Sequence, residues 1–298
     1  MRATGLIAAL ALLWGSGFFW IKLALGGFTP VQLTFARLAL GALVLVPIVL
    51  VRRLPRPRGA AMWGHLAVSA LIANAIPYTL IAVAEQTVSS GLAGVINATT
   101  PLWTIVVALA AGADTRLTPL RGIGVVLGFV GVIVVFEPWS GTTGGSLGGV
   151  LACVGAAMSY GLAYVYQARF LTNRGISPLT LTTAQLTIAA GFLALALPVA
   201  GWPRPEPAAL ALAAVLILGV LGTGLALVIN FTLIATEGPT AASVVTYLVP
   251  AVALALGILV LDEPARWTLP LGALLILAGV ALVRRRISRP HPGRARRR

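Results

Sequence analysis

The chain has 298 residues, of which 59% are hydrophobic and 9% charged, with a mean hydropathy of +0.99. Soluble domains carry about 25% charged residues, so this apolar content exceeds what a water-soluble core can hide and places the chain in a bilayer. The net charge of +14 would suggest nucleic acid if the arginines formed a basic face interleaved with aromatics. They fall instead in short clusters between apolar runs, the pattern of topology signals and lipid contact.

At 1.5 Å per residue a membrane span needs about 20 residues. Punctuation by Pro, Gly and Arg divides the chain into ten, near 3–25, 30–51, 62–84, 88–111, 118–136, 146–170, 178–200, 208–234, 239–261 and 267–284. The expected fold is therefore an all-α integral membrane protein of ten transmembrane helices. The opening run, "MRATGLIAALALLWGSGFFWIKLAL", has the early Arg2 and the small-residue match of a signal peptide. Its apolar stretch continues through that match and further spans follow, so it reads as a retained first helix.

The second span carries Arg37, seven positions after Pro30 and roughly 10 Å deep by helical rise. A charge at the centre of a lipid-facing helix costs roughly 2.5–3.5 kcal/mol on insertion scales, so the guanidinium is expected to face protein, water or a ligand. One reading makes it an anchor for a substrate carboxylate or phosphate, because it offers a bidentate fork. The other pairs it with Glu85 or Glu137, or lets it snorkel to the interface.

Further along, Cys153 lies in an apolar run and, as the one cysteine, excludes an intrachain disulfide or a thiolate cluster. His65 and His291 have no Asp or Glu at ligand spacing and read as interfacial; neither metal nor cofactor is expected. The segment 288–298 is expected to be a disordered basic tail. Lys and Arg in short loops set orientation. With the N-terminus inside, Arg2, the 52–58 cluster, Arg116, Arg121, Arg169, Arg174 and the arginines from Arg284 onward share the cytoplasmic side, leaving only Lys22, Arg37, Arg204 and Arg266. Both termini are thus expected in the cytoplasm, with the protein in the inner (plasma) membrane.

The second half repeats the first. "FTPVQLTFAR" at 28–37 aligns with "ISPLTLTTAQ" at 176–185, "YTLIAVAEQ" at 78–86 with "FTLIATEGP" at 231–239, and Pro101 with Pro250. "GVVLGFVGVIVV" at 124–135 matches "GALLILAGVALV" at 272–283, with glycines seven apart in both. Each half holds five spans, an odd number, so the second enters the membrane from the opposite side: two inverted-topology five-helix repeats, over 1–140 and 141–287. Such pairs place a site near the midplane and alternate access by rocking, which points to a carrier.

Trp14-Gly-Ser-Gly, Lys22, Pro30 with "FARLALGAL", "AEQTVSSGLAGVINATTPLW" from Ala84 to Trp103, and "GPTAASVVTYLVPAVALALGILVLDEP" from Gly238 to Pro264 resemble the two EamA-type modules of the drug/metabolite transporter superfamily. The resemblance covers about residues 3–284 and implies that spans one to four and six to nine surround the cavity, with five and ten outside as support. "GADTRLTP" after span four departs from the family's usual Gly-Glu pair, whereas "LDEP" in the second half keeps an acid there. The small multidrug-resistance relatives use a glutamate within span one; here that stretch reads "LLWGSGFFW", which disfavours a lipophilic-cation antiporter working in that way.

Polar and aromatic residues near mid-depth complete the expected substrate-binding set: Trp14, Ser16, Arg37, Asn74, Tyr78, Asn97, Thr100, Tyr160, Tyr164, Gln185, Thr246 and Tyr247. Interhelical hydrogen bonding would equally retain several of them. Gln185 occupies the Arg37 position of the second half, polar but uncharged. Glu85 and Glu237 read as solvated helix ends, or as proton-sensitive gates. The expected function is a secondary-active exporter of small polar or amphiphilic metabolites such as amino acids, acting as monomer or homodimer, with a small-molecule substrate and the bilayer as partners and no nucleic acid. A lipid-modifying membrane enzyme or a non-transporting scaffold is the alternative. Against the enzyme, the sequence lacks a Ser-His-Asp set and paired carboxylates within its spans. The sequence contains no Gly-rich phosphate loop with Lys and Ser or Thr, which disfavours direct ATP use.

Overall fold

The computed structural model describes residues 2–112, 119–137, 145–172, 174–198, 208–237 and 245–284, and regular structure among them is helical. Ten helical rods result: α1 (Arg2–Ala24), α2 (Pro30–Val51), α3 (Ala60–Ala84), α4 (Ser90–Ala110), α5 (Pro119–Phe136), α6 (Leu147–Phe170), α7 (Pro178–Ala196), α8 (Ala209–Leu216, Ile217–Leu225 and Ala226–Glu237 in succession), α9 (Val245–Val260) and α10 (Thr268–Arg284). They match the ten expected spans in order. Among the described residues seven, α1–α4 and α6–α8, are long and apolar enough to cross a membrane, and the described apolar stretches of the other three cover Gly122–Val135, Leu248–Val260 and Thr268–Leu282. The expected start of span nine at 239 and the tail at 288–298 lie outside the described residues.

Helix starts are written locally. Thr29 caps α2 with its side chain accepting from Gln32 N, Gln32 reciprocates, and Pro30 fills the first turn where no backbone donor is needed. Ser177 caps α7 by accepting from Thr180 N, with Pro178 in the first turn, and Ser89 and Ser146 cap α4 and α6. The prolines expected in mid-span take three forms. Pro77 follows a π-helical turn, Leu71–Ala75, inside α3; Pro101 opens the second segment of α4 after a break at Ala98 and Thr99; Pro250 lies inside a continuous helix. A second π segment, Ile217–Leu225, occupies α8, the counterpart of α3 in the other repeat.

The helix packing maps onto itself when each helix is exchanged with the one five places on. α1 packs on α9 and α6 on α4; α2 on α8 and α7 on α3; α1 on α8 and α6 on α3. Three pairs, α2–α7, α4–α9 and α5–α10, join equivalent helices. Glycines settle their direction. Gly91 and Gly94 of α4 face Leu254 and Ala253, while Gly257 faces Ser90; Gly131 of α5 abuts Gly272 and Gly279 abuts Gly124. In both pairs one residue number rises as its partner's falls, so equivalent helices run antiparallel and the repeat is inverted. Leu43, Leu195 and Leu259 remain more than two-thirds exposed, as side chains turned to acyl chains do.

Candidate functional site

Arg37 lies on α2, half-buried against the π segment of α8. Small residues make the approach possible: Gly41 packs on Thr223, Gly219 on Leu40 and the Arg37 carbonyl, and Gly224 on Val44. Side chains added at these glycines would hold the two helices apart. Across this seam Arg37 Nε donates to Thr223 Oγ1 at 2.9 Å, and the same hydroxyl donates to Leu218 O at 3.0 Å within the π segment. π turns displace carbonyls from the usual ladder and recur at functional sites; here a displaced carbonyl orients a hydroxyl, which orients the guanidinium.

The flat face of the guanidinium is also held. Arg37 Cζ stands 4.1 Å from the centre of the Tyr78 ring, a cation–π contact from the helix after the π turn of α3. Tyr160 of α6 meets Tyr78 edge-on at 6.2 Å. Side chains from both repeats, Arg37 and Tyr78 from the first and Tyr160 and Thr223 from the second, therefore converge. Neither carboxylate that the sequence offered as a structural partner is bonded to Arg37: Glu137 pairs with Arg266 at 3.0 Å, and both oxygens of the Glu85 carboxyl are buried without a partner among the described residues. Among the described residues the terminal nitrogens of Arg37 have no hydrogen-bond partner.

Gln185, the counterpart of Arg37 in α7, is buried in a second polar cluster. Gln167 Nε2 donates to Gln185 Oε1 at 3.1 Å and to Ser69 Oγ at 2.9 Å, again tying the two repeats together. Asn74 is buried on the π turn of α3. Asn97 ends the first segment of α4, and its Oδ1 is buried without a partner among the described residues; the Thr100 hydroxyl is spent on Asn97 O at 2.8 Å. Ser16 turns back to Leu13 O, and Trp14 packs against the cluster formed by Leu10, Ala11, Ala226, Leu233 and Val245. Tyr164 lies one turn beyond Tyr160 and is 58% exposed. The side chains of Thr246 and Tyr247 lie outside the described residues.

Thr223, Gln167 and Ser69 were not among the residues expected from sequence. Thr223 stands between Gly222 and Gly224 in "GVLGTGL", where close packing is the ordinary reading of such residues. An open groove of about 340 Å³ between α3 and α7 is walled mainly by apolar side chains, among them Leu71, Ile76 and Phe192, and none of its lining residues belongs to the expected site set. Among the described residues no group of three or more His, Cys, Asp or Glu is placed to hold a metal.

The chain matches the EamA-like transporter family over residues 1–137 and again over 147–285. It is 27% identical over 290 residues to the uncharacterized transporter YvbV of Bacillus subtilis (strain 168), covering 95% of this chain and 91% of that one. It is 29% identical over 258 residues to the uncharacterized inner membrane transporter YedA of Escherichia coli (strain K12), covering 85% and 81%. A solved crystal structure superposes with a TM-score of 0.64 over 95% of this chain and 96% of the other at 22% identity, a likeness of fold. Two matched modules, ten apolar rods and the exchange symmetry of their packing agree: the chain is a multi-pass membrane protein that belongs to the EamA-like transporter family.

Proposed function

We propose that the chain is a secondary-active carrier that exports small polar or amphiphilic metabolites, amino acids being the type case, by alternating access between repeats 1–140 and 141–287. The observation that carries this reading is the half-buried Arg37 guanidinium, aimed by Thr223 and Tyr78 and with its terminal nitrogens unpartnered among the described residues. A guanidinium fixed at Nε and on one face keeps its outer fork for a carboxylate, and such charge-assisted pairs are the strong ones. Tyr78 and Tyr160 offer apolar faces beside that fork for the rest of the solute.

In this reading Trp14, Ser16, Asn74, Asn97, Thr100, Tyr164, Gln185, Thr246 and Tyr247 complete the pathway. The uncharged Gln185 opposite Arg37 makes the two access routes electrically unequal. The arginine bias supports both termini in the cytoplasm, which sets the end of the bundle bearing Lys22 and Glu85 outside and the end bearing His65 inside. The name of the Escherichia coli relative supports an inner-membrane location.

Counterflow in proteoliposomes tests the function. Vesicles loaded with an unlabelled amino acid panel are expected to accumulate the matching radiolabelled acid, recovered chemically unchanged. Chemical conversion of the label, or no exchange of any acid by well-folded protein, would overturn the reading.

A further inference from the structure

The turn from Glu85 to Val88, between α3 and α4, is where the first repeat is stitched both to its own first helix and to the second repeat. The Lys22 ammonium, at the end of α1, donates to Glu85 O at 2.6 Å and to Val88 O at 3.1 Å. Thr87 Oγ1 meets Ser146 Oγ, the cap of α6, at 2.8 Å. Just beyond the turn, Ser90 N and Gly91 N donate to the two oxygens of Glu263, at 2.7 and 3.1 Å, from the segment after α9. Gly145 and Gly149 let the start of α6 close over Thr87 and Val88, and Val88 is fully buried.

The Glu85 side chain sits inside this closure at 0% exposure, and among the described residues neither carboxyl oxygen has a hydrogen-bond partner. The charged and titratable groups that face it are Lys22 of α1, Arg37 of α2, Glu263 after α9 and Cys153 of α6. Lys22 has its bonds elsewhere: it clamps the turn's carbonyls, and among the described residues no ion pair joins it to the Glu85 carboxylate. An ionised carboxylate buried without a donor is costly, and such a group takes up a proton instead.

We propose that Glu85 is a proton-binding site that latches the Lys22 end of the bundle, closed when the carboxyl is protonated and released when it is not. On release the Oε–H bond breaks, its electron pair stays on the carboxylate, and the proton passes to water at that end. The new charge is then met in one of two ways: Lys22 leaves the carbonyls of Glu85 and Val88 to pair with it, or water enters. Both loosen the turn that Lys22 holds. The sign follows from linkage: the closed form binds the proton and the open, hydrated form binds it less, so low pH favours closure and rising pH favours opening. Within the titration window the open-to-closed ratio changes by up to about tenfold per pH unit. The proposal rests on the transporter reading in taking this closure as one gate of the pathway, but its test needs no substrate.

In the full chain with Cys153→Ala, Val88→Cys places a thiol under the closure. Labelling by a membrane-impermeant maleimide, with rates corrected for thiolate fraction on a free thiol, is expected to rise with pH at the Lys22 end. Glu85→Gln should hold labelling slow and flat, and Glu85→Asp should restore the slope. Infrared difference spectra across the same pH range should show a protonated-carboxyl C=O band that is present in the parent and absent in Glu85→Gln. An unchanged slope in Glu85→Gln, or an infrared band that survives it, overturns the latch. If exchange of solute persists in either case, the carrier reading stands without it.

Discussion

Arg37 uses one donor and one face for its own positioning and leaves its fork over. The Nε bond to Thr223 crosses 186 positions of sequence, from α2 to the π segment of α8. Hydrogen bonds to charged groups contribute about 1.5–3 kcal/mol, so Thr223→Val is expected to raise KM for a carboxylate-bearing solute by roughly tenfold or more while leaving the protein folded; the readout is counterflow kinetics. A KM unchanged in that variant would mean that Thr223 does not aim the guanidinium. Arg37 was legible in the sequence because a permanent charge in an apolar run demands a reason. Thr223 was not, because a threonine between two glycines also satisfies simple close packing, and only the fold brings it to Arg37. The same limit hid Gln167 and Ser69: the bonds of Gln167 to Ser69 and to Gln185 depend on α3, α6 and α7 meeting.

At the scale of the element, helix starts were written in the sequence and interruptions were not. Thr29-Pro30 and Ser177-Pro178 supply both the cap and the proline that needs no donor, a signal contained in neighbouring residues. The π segments of α3 and α8 depend on which carbonyls find other donors, as Ile72 O does from Ser159 Oγ at 2.7 Å and Leu218 O from Thr223. The start of α4 is a third case: its first amides bind Glu263, 172 and 173 positions away. A carboxylate on a helix N-terminus is favoured by both the free N–H groups and the helix dipole. Loss of such a cap costs about 0.5–2 kcal/mol, so Glu263→Ala should lower the thermal midpoint measured by fluorescence-detected size exclusion. A Cβ on Gly257 would collide with Glu263 Oε2, so Gly257→Ala should displace the same carboxylate. The double variant should then lose less than the sum of the two singles. Additive losses would contradict a shared cause.

For the whole molecule, the inverted repeat was legible because an odd number of spans per half forces it, and the glycines spaced by seven in α5 and α10 proved to be the seam between those helices. A Cβ on Gly279 would stand 2.7 Å from Gly128 N, and one on Gly131 would stand 2.8 Å from Gly272 O. Gly279→Leu should therefore force the pair apart, at a cost of about 1–3 kcal/mol by the usual scale of overpacking. Because this pair is expected to support the bundle from outside the pathway, ratios of transport among accepted solutes should stay as in the parent even as thermal stability falls. A changed solute preference would place α5 or α10 on the pathway.

In the proposed carrier a guanidinium, held between two inverted repeats, recognises an acid group on the solute. The most direct measurement compares counterflow inhibition by an amino acid and by its neutral-headed amide, in the parent and in Arg37→Gln. The parent should favour the acid, and Arg37→Gln should erase that preference by weakening the acid while leaving the amide nearly unchanged. An acid-over-amide preference of the same size in both proteins would contradict the account.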